Sequence, residues 1–420
     1  MFSELEYKNN VLHLCDVDLS KISDKYKTPI YIYSKNKIEK NYLKYKNAFE
    51  KNNINNYQIS YAIKSNDNLS ILKILKNLGS GVDTVSIGEI QKAILAGFDT
   101  SKIVFSGVGK TEEDLTFAIK NRIGQINIES YEEFLTICEI AKKLNIVANI
   151  SVRVNPNIDA HTHSKITTGK KENKFGVDIS VAKKIIEKAT KDNDVKDFLN
   201  FNGLSAHIGS QILDISCFEE LFKFFKDVYE EYKDVFKTID FGGGVGIQYK
   251  EEDKTIDLND YAKLINKYLG YFKGKIIVEP GRSIIGDTCI FLSKIVRIKK
   301  TELNNFVIID GGMNNLIRPA MYEAFHYPMI VKKTSEEKLK YNIVGPICES
   351  SDVFVNNFEF NKIGENDNYI AFLCAGAYGR SMSSNYNCHD IAGEIMIDNK
   401  NIIEIRKPIN FKDLIKFEEL

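Results

Sequence analysis

An α/β fold is predicted, a (β/α)8 barrel joined to a second, predominantly β domain that takes in the N-terminal segment. Three observations carry it. Strand-like apolar runs end at Lys64, Val85, Ser106, Ile128, Val154, Ile208, Phe241 and Val278. Amphipathic helical patterns separate them, and strands alternating with helices of this length mean parallel βαβ units. About eight consecutive units is the number at which such a sheet closes on itself. A doubly wound open sheet is the alternative, because sequence specifies strand order poorly.

The chain opens with a β pattern at Val11–Leu14, a turn-rich stretch to Thr28-Pro29, and a short β run at Ile30–Tyr33. Helical periodicity then appears over Ile87–Ala96, Glu112–Lys120, Tyr131–Leu144, Val181–Ala189, Phe218–Tyr232 and Leu258–Leu269. Beyond Arg282 the pattern changes. Cys289–Lys299, Phe306–Ile309, Tyr341–Val344, Val353–Phe358 and Tyr369–Leu373 read as strands, and Glu394–Ile397 with Ile402–Ile405 as a hairpin. The expected division is a barrel over 34–284 and a β-rich domain made of 1–33 plus 285–420.

Bulk properties exclude several classes. With 420 residues the chain is too long for one small core. Lys+Arg and Asp+Glu are both 57, so no overall basic field points to nucleic acid or an anionic membrane. No apolar stretch is long enough to span a bilayer, and the first six residues lack the basic-then-apolar order of a signal peptide. Seven scattered cysteines without a Cys-x-x-Cys pair argue against a disulfide framework or zinc knuckle. A reducing cytoplasm is the expected location.

A barrel demands that functional residues sit at the C-terminal ends of strands. Lys64, Asp83, Arg153, His207 with Ser210, Gly242-Gly243-Gly244, and Glu279-Pro280-Gly281-Arg282 all fall there. Lys64 reads either as an edge lysine reaching solvent or as a desolvated amine that bonds to an aldehyde cofactor. The glycine triplet reads as a tight turn or as backbone N–H groups approaching a phosphate; a dinucleotide fingerprint fails because Ile247 stands where a glycine is needed. Glu279 is either an ion-pair partner of Arg282 or a carboxylate facing a pyridine nitrogen, as pyridoxal phosphate requires for its electron-accepting ring. His207 alone would read as a satisfied core histidine, but beside these neighbours it reads as a ring stacked on a flat cofactor. His161-Thr162-His163 could begin a metal site, yet no second histidine cluster completes one among six histidines, so no metal is expected.

Taken together, Tyr61–Lys64, His207–Gln211, the glycine triplet and Glu279–Arg282 resemble the alanine-racemase-like, fold type III decarboxylases that use pyridoxal phosphate. Segments 310–322, 345–352 and 376–387, with Arg153–Pro156, His161–His163 and Lys174–Gly176, narrow the resemblance to the diaminopimelate decarboxylases. It covers nearly the whole chain; Cys388-His389 departs from the Ser-Arg usual in relatives. The resemblance implies that Lys64 holds the cofactor aldehyde, Glu279 pairs with the ring nitrogen and His207 stacks on the ring. It implies that Asp83, Arg153, Ser210, Gly243, Gly244, Gly281, Arg282 and Tyr378 bind or frame the cofactor. Arg282, Arg318, Tyr322, Glu349 and Tyr378 would grip the substrate, and Cys348 would deliver a proton after carbon dioxide leaves. The Cys348-Glu349 loop is expected from the partner subunit, which makes the active form a homodimer with shared sites.

The implied substrate, meso-2,6-diaminoheptanedioate, carries an amino acid group at each end. Arginine suits its distal carboxylate because the guanidinium fork reaches both oxygens. Glu349 suits the distal ammonium, and losing either partner would strand a buried charge. A thiol at 348 is a credible acid, although a free cysteine is more often a small buried hydrophobe. Decarboxylases of arginine, ornithine or carboxynorspermidine are the nearest rivals, disfavoured by Arg318, Tyr322 and Cys348-Glu349-Ser350. A non-catalytic cofactor-binding relative should have lost Lys64 or Cys348.

Overall fold

The computed structural model describes residues 4–159, 174–364 and 368–419. Eight parallel strands, Tyr57–Ala62, Gly81–Thr84, Ile103–Phe105, Gln125–Ile128, Ala148–Arg153, Leu199–Ser205, Thr238–Asp240 and Lys275–Val278, close into a barrel. The expected closed form is the one observed. Closure pairs the last strand with the first, Ile276 with Tyr57 and Val278 with Ile59. Every residue of Gly81–Thr84 and Gln125–Ile128 is buried, as befits strands covered by helices outside and side chains inside.

The helices begin and end where local chemistry directs. Thr111 and Asp114 form a reciprocal capping box that starts Glu112–Lys120, and three acidic residues in its first turn favour the positive end of the helix dipole. Tyr131–Leu144 starts at Ser130 and stops at Asn145, which takes the left-handed conformation open to asparagine. Both spans match the periodicity. Lys35–Lys51 and Leu69–Asn77 are further helices that the periodicity did not single out. Ser216–Glu231 and Leu258–Leu269 are held by Phe222, whose ring lies 4.6 Å from Phe241 and 5.2 Å from Tyr261. All three side chains are buried, so the residue just before the glycine triplet is fixed by aromatic packing.

The chain forms two compact units, one of Asn41–Ile247 with Lys254–Ser283 and one of Met1–Lys40, Gln248–Asp253 and Ile284–Leu420. This division differs from 34–284 at the first helix, which it cuts, and at the short segment Gln248–Asp253. That segment joins the β-rich unit because Tyr249 packs on the Arg318 guanidinium at 4.8 Å and edge-on to His326 at 5.6 Å. In the β-rich unit the strand Ile30–Ser34 lies between Cys289–Lys300 and Gly393–Asp398. The N-terminal segment thus supplies an interior strand, and all five of its residues are buried. Pro328–Ile330, which pairs with Tyr369–Phe372, is a strand the sequence pattern did not reveal. No helix among the described residues is long and apolar enough to cross a membrane.

Candidate active site

Barrel closure brings Lys64 and Glu279 together although they are far apart in sequence. Tyr57–Ala62 ends two residues before Lys64, which lies in the 3-10 turn Ile63–Ser65 rather than on the strand itself. The Ala62 N–H donates to the Pro280 carbonyl at 3.2 Å. Gly281 fits under that turn because a β-carbon there would sit 3.0 Å from Ser65 and 3.2 Å from Ala62. Lys64 Nζ donates to Asp83 Oδ2 at 3.0 Å, and Asp83 is fully buried. The amine is therefore anchored, not waving in solvent.

The glycines are required by close approach. Gly242 has φ +64°, and a β-carbon on it would meet the Ala206 carbonyl at 2.6 Å and His207 Cβ at 2.9 Å. On Gly243 it would lie 2.3 Å from the Glu279 carbonyl. The loop can thus lie against both the His207 segment and the end of the last strand, and the Glu279 N–H donates to the Gly242 carbonyl at 2.7 Å. Arg282 Nη2 donates to Ser210 Oγ at 3.0 Å, joining two of the expected phosphate-side residues.

Electrostatics sort these groups. Burial, then the positive charges of Lys64 and Arg153, push His207 well below the ordinary imidazole range, so the ring is neutral at physiological pH. Burial, then the Asp240 and Asp83 carboxylates, push Glu279 well above the ordinary carboxyl range, with Lys64 opposing. Glu279 Oε1 is buried and has no hydrogen-bond partner among the described residues. A buried acceptor oxygen of that kind demands a donor.

Arg153 is set by Glu129, a residue not among those expected from the sequence. Its Nη1 donates to Glu129 Oε1 at 2.8 Å, and Phe175 covers its guanidinium at 4.9 Å. Glu129 also accepts the Gly107 N–H at 3.2 Å and the Gly176 N–H at 2.8 Å. Glu129 directly follows the fourth strand, so the same strand-end rule would have nominated it. His161, Thr162 and His163 lie outside the described residues, as does most of 155–175; among the described residues no cluster of metal-ligating side chains occurs.

The remaining expected residues belong to the β-rich unit. Arg318 is buried, and its Nη1 donates to His326 Nε2 at 2.8 Å while His326 Nδ1 donates to the Leu373 carbonyl at 2.9 Å. That pattern fixes His326 as a neutral tautomer that orients the arginine, a role to which no sequence motif points. Tyr322 ends the same short helix, Arg318–Tyr322. Tyr378 is half-buried and holds a left-handed backbone, φ +57°. Cys348 and Glu349 are exposed, which rules out the buried-hydrophobe reading of that thiol. The Cys348 N–H donates to Asn387 Oδ1 at 3.0 Å, and Asp352 ties the loop by accepting the Ile347 N–H at 2.8 Å.

Glu89 offers a test of the pocket's electrostatics. It lies in the first turn of Ile87–Leu95 and accepts the Val85 N–H at 2.8 Å. Burial and, secondarily, Asp83 push its carboxyl up from 4.5 to about 7, against the Val85 N–H bond that opposes the rise. A carboxyl raised by folding binds its proton more tightly in the folded chain. The associated stability is complete below 4.5 and is lost as pH rises through about 7. In Glu89→Gln the cofactor-free protein should therefore lose less melting temperature across that window than the parent; identical pH slopes would contradict this.

A closed barrel with a lysine in the turn after its first strand, a glycine loop and a buried carboxyl has the parts that a pyridoxal-dependent enzyme needs. The family described as "Pyridoxal-dependent decarboxylase, pyridoxal binding domain" matches residues 35–286. Diaminopimelate decarboxylase of Aquifex aeolicus is 40% identical over 415 residues, 98% of this chain and 96% of that one. A crystal structure of diaminopimelate decarboxylase from Methanocaldococcus jannaschii in co-complex with L-lysine superposes with TM-score 0.93 at 35% identity, covering 100% of this chain and 98% of that one. The Helicobacter pylori enzyme complexed with L-lysine gives 0.88 at 40% identity, over 96% and 99%. The chain belongs to the diaminopimelate decarboxylase family of pyridoxal-dependent carboxy-lyases.

The residues present fit pyridoxal phosphate. An unsatisfied buried Glu279 oxygen suits a ring N–H donor, and glycines at 243 and 244 leave no side chain to hold a phosphate away from the backbone. Lys64 supplies an amine for the aldehyde.

Proposed function

We propose that this chain removes one carboxylate of meso-2,6-diaminoheptanedioate to give L-lysine and carbon dioxide, the last step of lysine synthesis. The observation that carries it is the likeness along the full chain to two diaminopimelate decarboxylases whose structures hold L-lysine, the product of that reaction. Bound pyridoxal phosphate supplies a protonated ring that accepts the electron pair of the breaking carbon–carbon bond.

The chain's own residues do the rest. Lys64 holds the aldehyde and Asp83 holds Lys64. Glu279 faces the ring nitrogen, and neutral His207 covers the ring, kept uncharged with the help of Arg153. Ser210, Gly243, Gly244, Gly281, Arg282 and Tyr378 bind or frame the phosphate side. Arg318, oriented by His326 and Tyr249, binds the distal carboxylate with Arg282, Tyr322 and Tyr378, while Glu349 takes the distal ammonium. Cys348 hands a proton to the carbon that loses carbon dioxide. Its exposure on a loop supports a place at the interface of a homodimer, where it serves the partner's site. Seven free thiols support a reducing cytoplasm as the working location.

Purified protein loaded with pyridoxal phosphate should release carbon dioxide and form lysine from the meso substrate. Turnover of arginine, ornithine or carboxynorspermidine without lysine formation would sink the substrate assignment. Mixing inactive Cys348→Ala and Lys64→Ala proteins should restore part of the activity, since one of the two sites in a mixed dimer is then intact. No recovery after demonstrated subunit exchange would place each site within one chain.

A further inference from the structure

Asp240 ends the seventh barrel strand and is fully buried beneath Glu279. Its Oδ1 accepts the Gly242 N–H at 2.9 Å and its Oδ2 accepts Gln125 Nε2 at 3.0 Å. The amide of Gln125 is itself oriented: Nε2 also donates to Asn127 Oδ1 at 3.0 Å, and Oε1 accepts Thr238 Oγ1 at 3.3 Å. Asp240 is, in addition, hydrogen-bonded to the Glu279 carboxyl. Two carboxyls in contact and out of water share a proton. Hydrogen bonding decides which holds it. Asp240 already accepts from two N–H donors, so it is the anion, and Glu279 carries the proton as the donor between them.

The charged neighbours on the surrounding elements are few. Asp83, from the second strand, adds negative charge, and Lys64, from the turn after the first strand, adds positive charge. Gln125 and Asn127 of the fourth strand are neutral, and His207 after the sixth is held neutral. The Asp240 anion is thus the nearest fixed charge acting on Glu279.

We propose that Asp240, held as an anion by Gln125 and the Gly242 N–H, is a positioning residue that keeps Glu279 loaded with a proton for the nitrogen of a bound heterocycle. The step is one proton transfer. The O–H bond of Glu279 breaks, the ring N–H bond forms, and the two carboxylates left behind hold the ring as a cation. No further reactant is needed. The inference rests on the reading of Glu279 as the ring-nitrogen partner, and the test separates the two.

In cofactor-free protein, infrared spectra at neutral pH should show a protonated-carboxyl band that Glu279→Gln removes and that titrates away at lower pH in Asp240→Asn than in the parent. With pyridoxal phosphate labelled with nitrogen-15 in the ring, the wild-type resonance should stay at the protonated position into alkaline pH. In Asp240→Asn its deprotonation midpoint should fall by about one pH unit or more, a tenfold loss of proton affinity. Gln125→Met, which removes the Nε2 donor to Asp240 and leaves the Gly242 N–H in place, should give a smaller shift in the same direction. An unprotonated ring in the wild type would overturn the reading of Glu279 itself. A protonated ring that titrates alike in wild type and Asp240→Asn would overturn the role of Asp240 alone. Should Asp240→Asn fail to fold, a wild-type infrared spectrum unchanged by Glu279→Gln is enough to reject the inference.

Discussion

Replacing Lys64 by alanine is expected to reduce carbon dioxide release by on the order of a thousandfold or more, since it removes the amine proposed to hold the aldehyde. Loss of activity alone would not separate chemistry from damage, because the same change removes a charge from beside fully buried Asp83. An unsatisfied buried polar group costs roughly 1–3 kcal/mol and a charged one more, so Lys64→Ala should also melt lower than the parent. Adding Asp83→Asn to Lys64→Ala should recover most of that stability and none of the activity. Borohydride reduction of the loaded parent should fix the cofactor to the peptide that carries Lys64, as read by mass spectrometry. Label on any other lysine would contradict the assignment.

The strand ends were legible because they rest on a local rule. A βα repeat closes into a barrel, and polar or glycine residues that interrupt apolar runs mark its functional face. That rule reached Asp83, Arg153, His207, Ser210, the glycine triplet and Glu279. It could equally have reached Glu129 and Asp240, which stand at or next to the ends of the fourth and seventh strands. What local pattern cannot supply is partnership. Gln125 and Asp240 meet at 3.0 Å only because the strands lean around a common interior, and the pair is separated by 115 positions. Likewise Tyr249 and His326 converge on Arg318 through tertiary packing of the β-rich unit. Helix boundaries read best where capping chemistry was explicit, as at Thr111 and Ser130. Leu69–Asn77 was not singled out although Asn68 caps it and it has the same length, nine residues, as Ile87–Leu95, which was.

Removal of the Glu129 carboxylate should have the second large effect, on stability first and on the site through it. Its side chain is 2% exposed and that of Arg153 9%, so the pair is out of water. Breaking such a pair from one side leaves the other charge buried, at a cost of about 3–5 kcal/mol. Glu129→Ala also strands the Gly107 and Gly176 N–H groups, which tie the ends of the third and fifth barrel segments to the fourth. Glu129→Gln keeps a carbonyl oxygen for one of those donors and fills the same volume, so it should lose less. Freed of its partner, Arg153 no longer has a reason to keep its place beside His207, whose neutral state depends in part on that positive charge. Urea unfolding should therefore rank the proteins parent, Glu129→Gln, Glu129→Ala in falling stability. The imidazole of His207, followed by NMR in the cofactor-free protein, should titrate nearer its ordinary value in Glu129→Ala than in the parent. Equal urea midpoints for all three proteins would mean that the Glu129–Arg153 pair is not the clasp that its geometry describes.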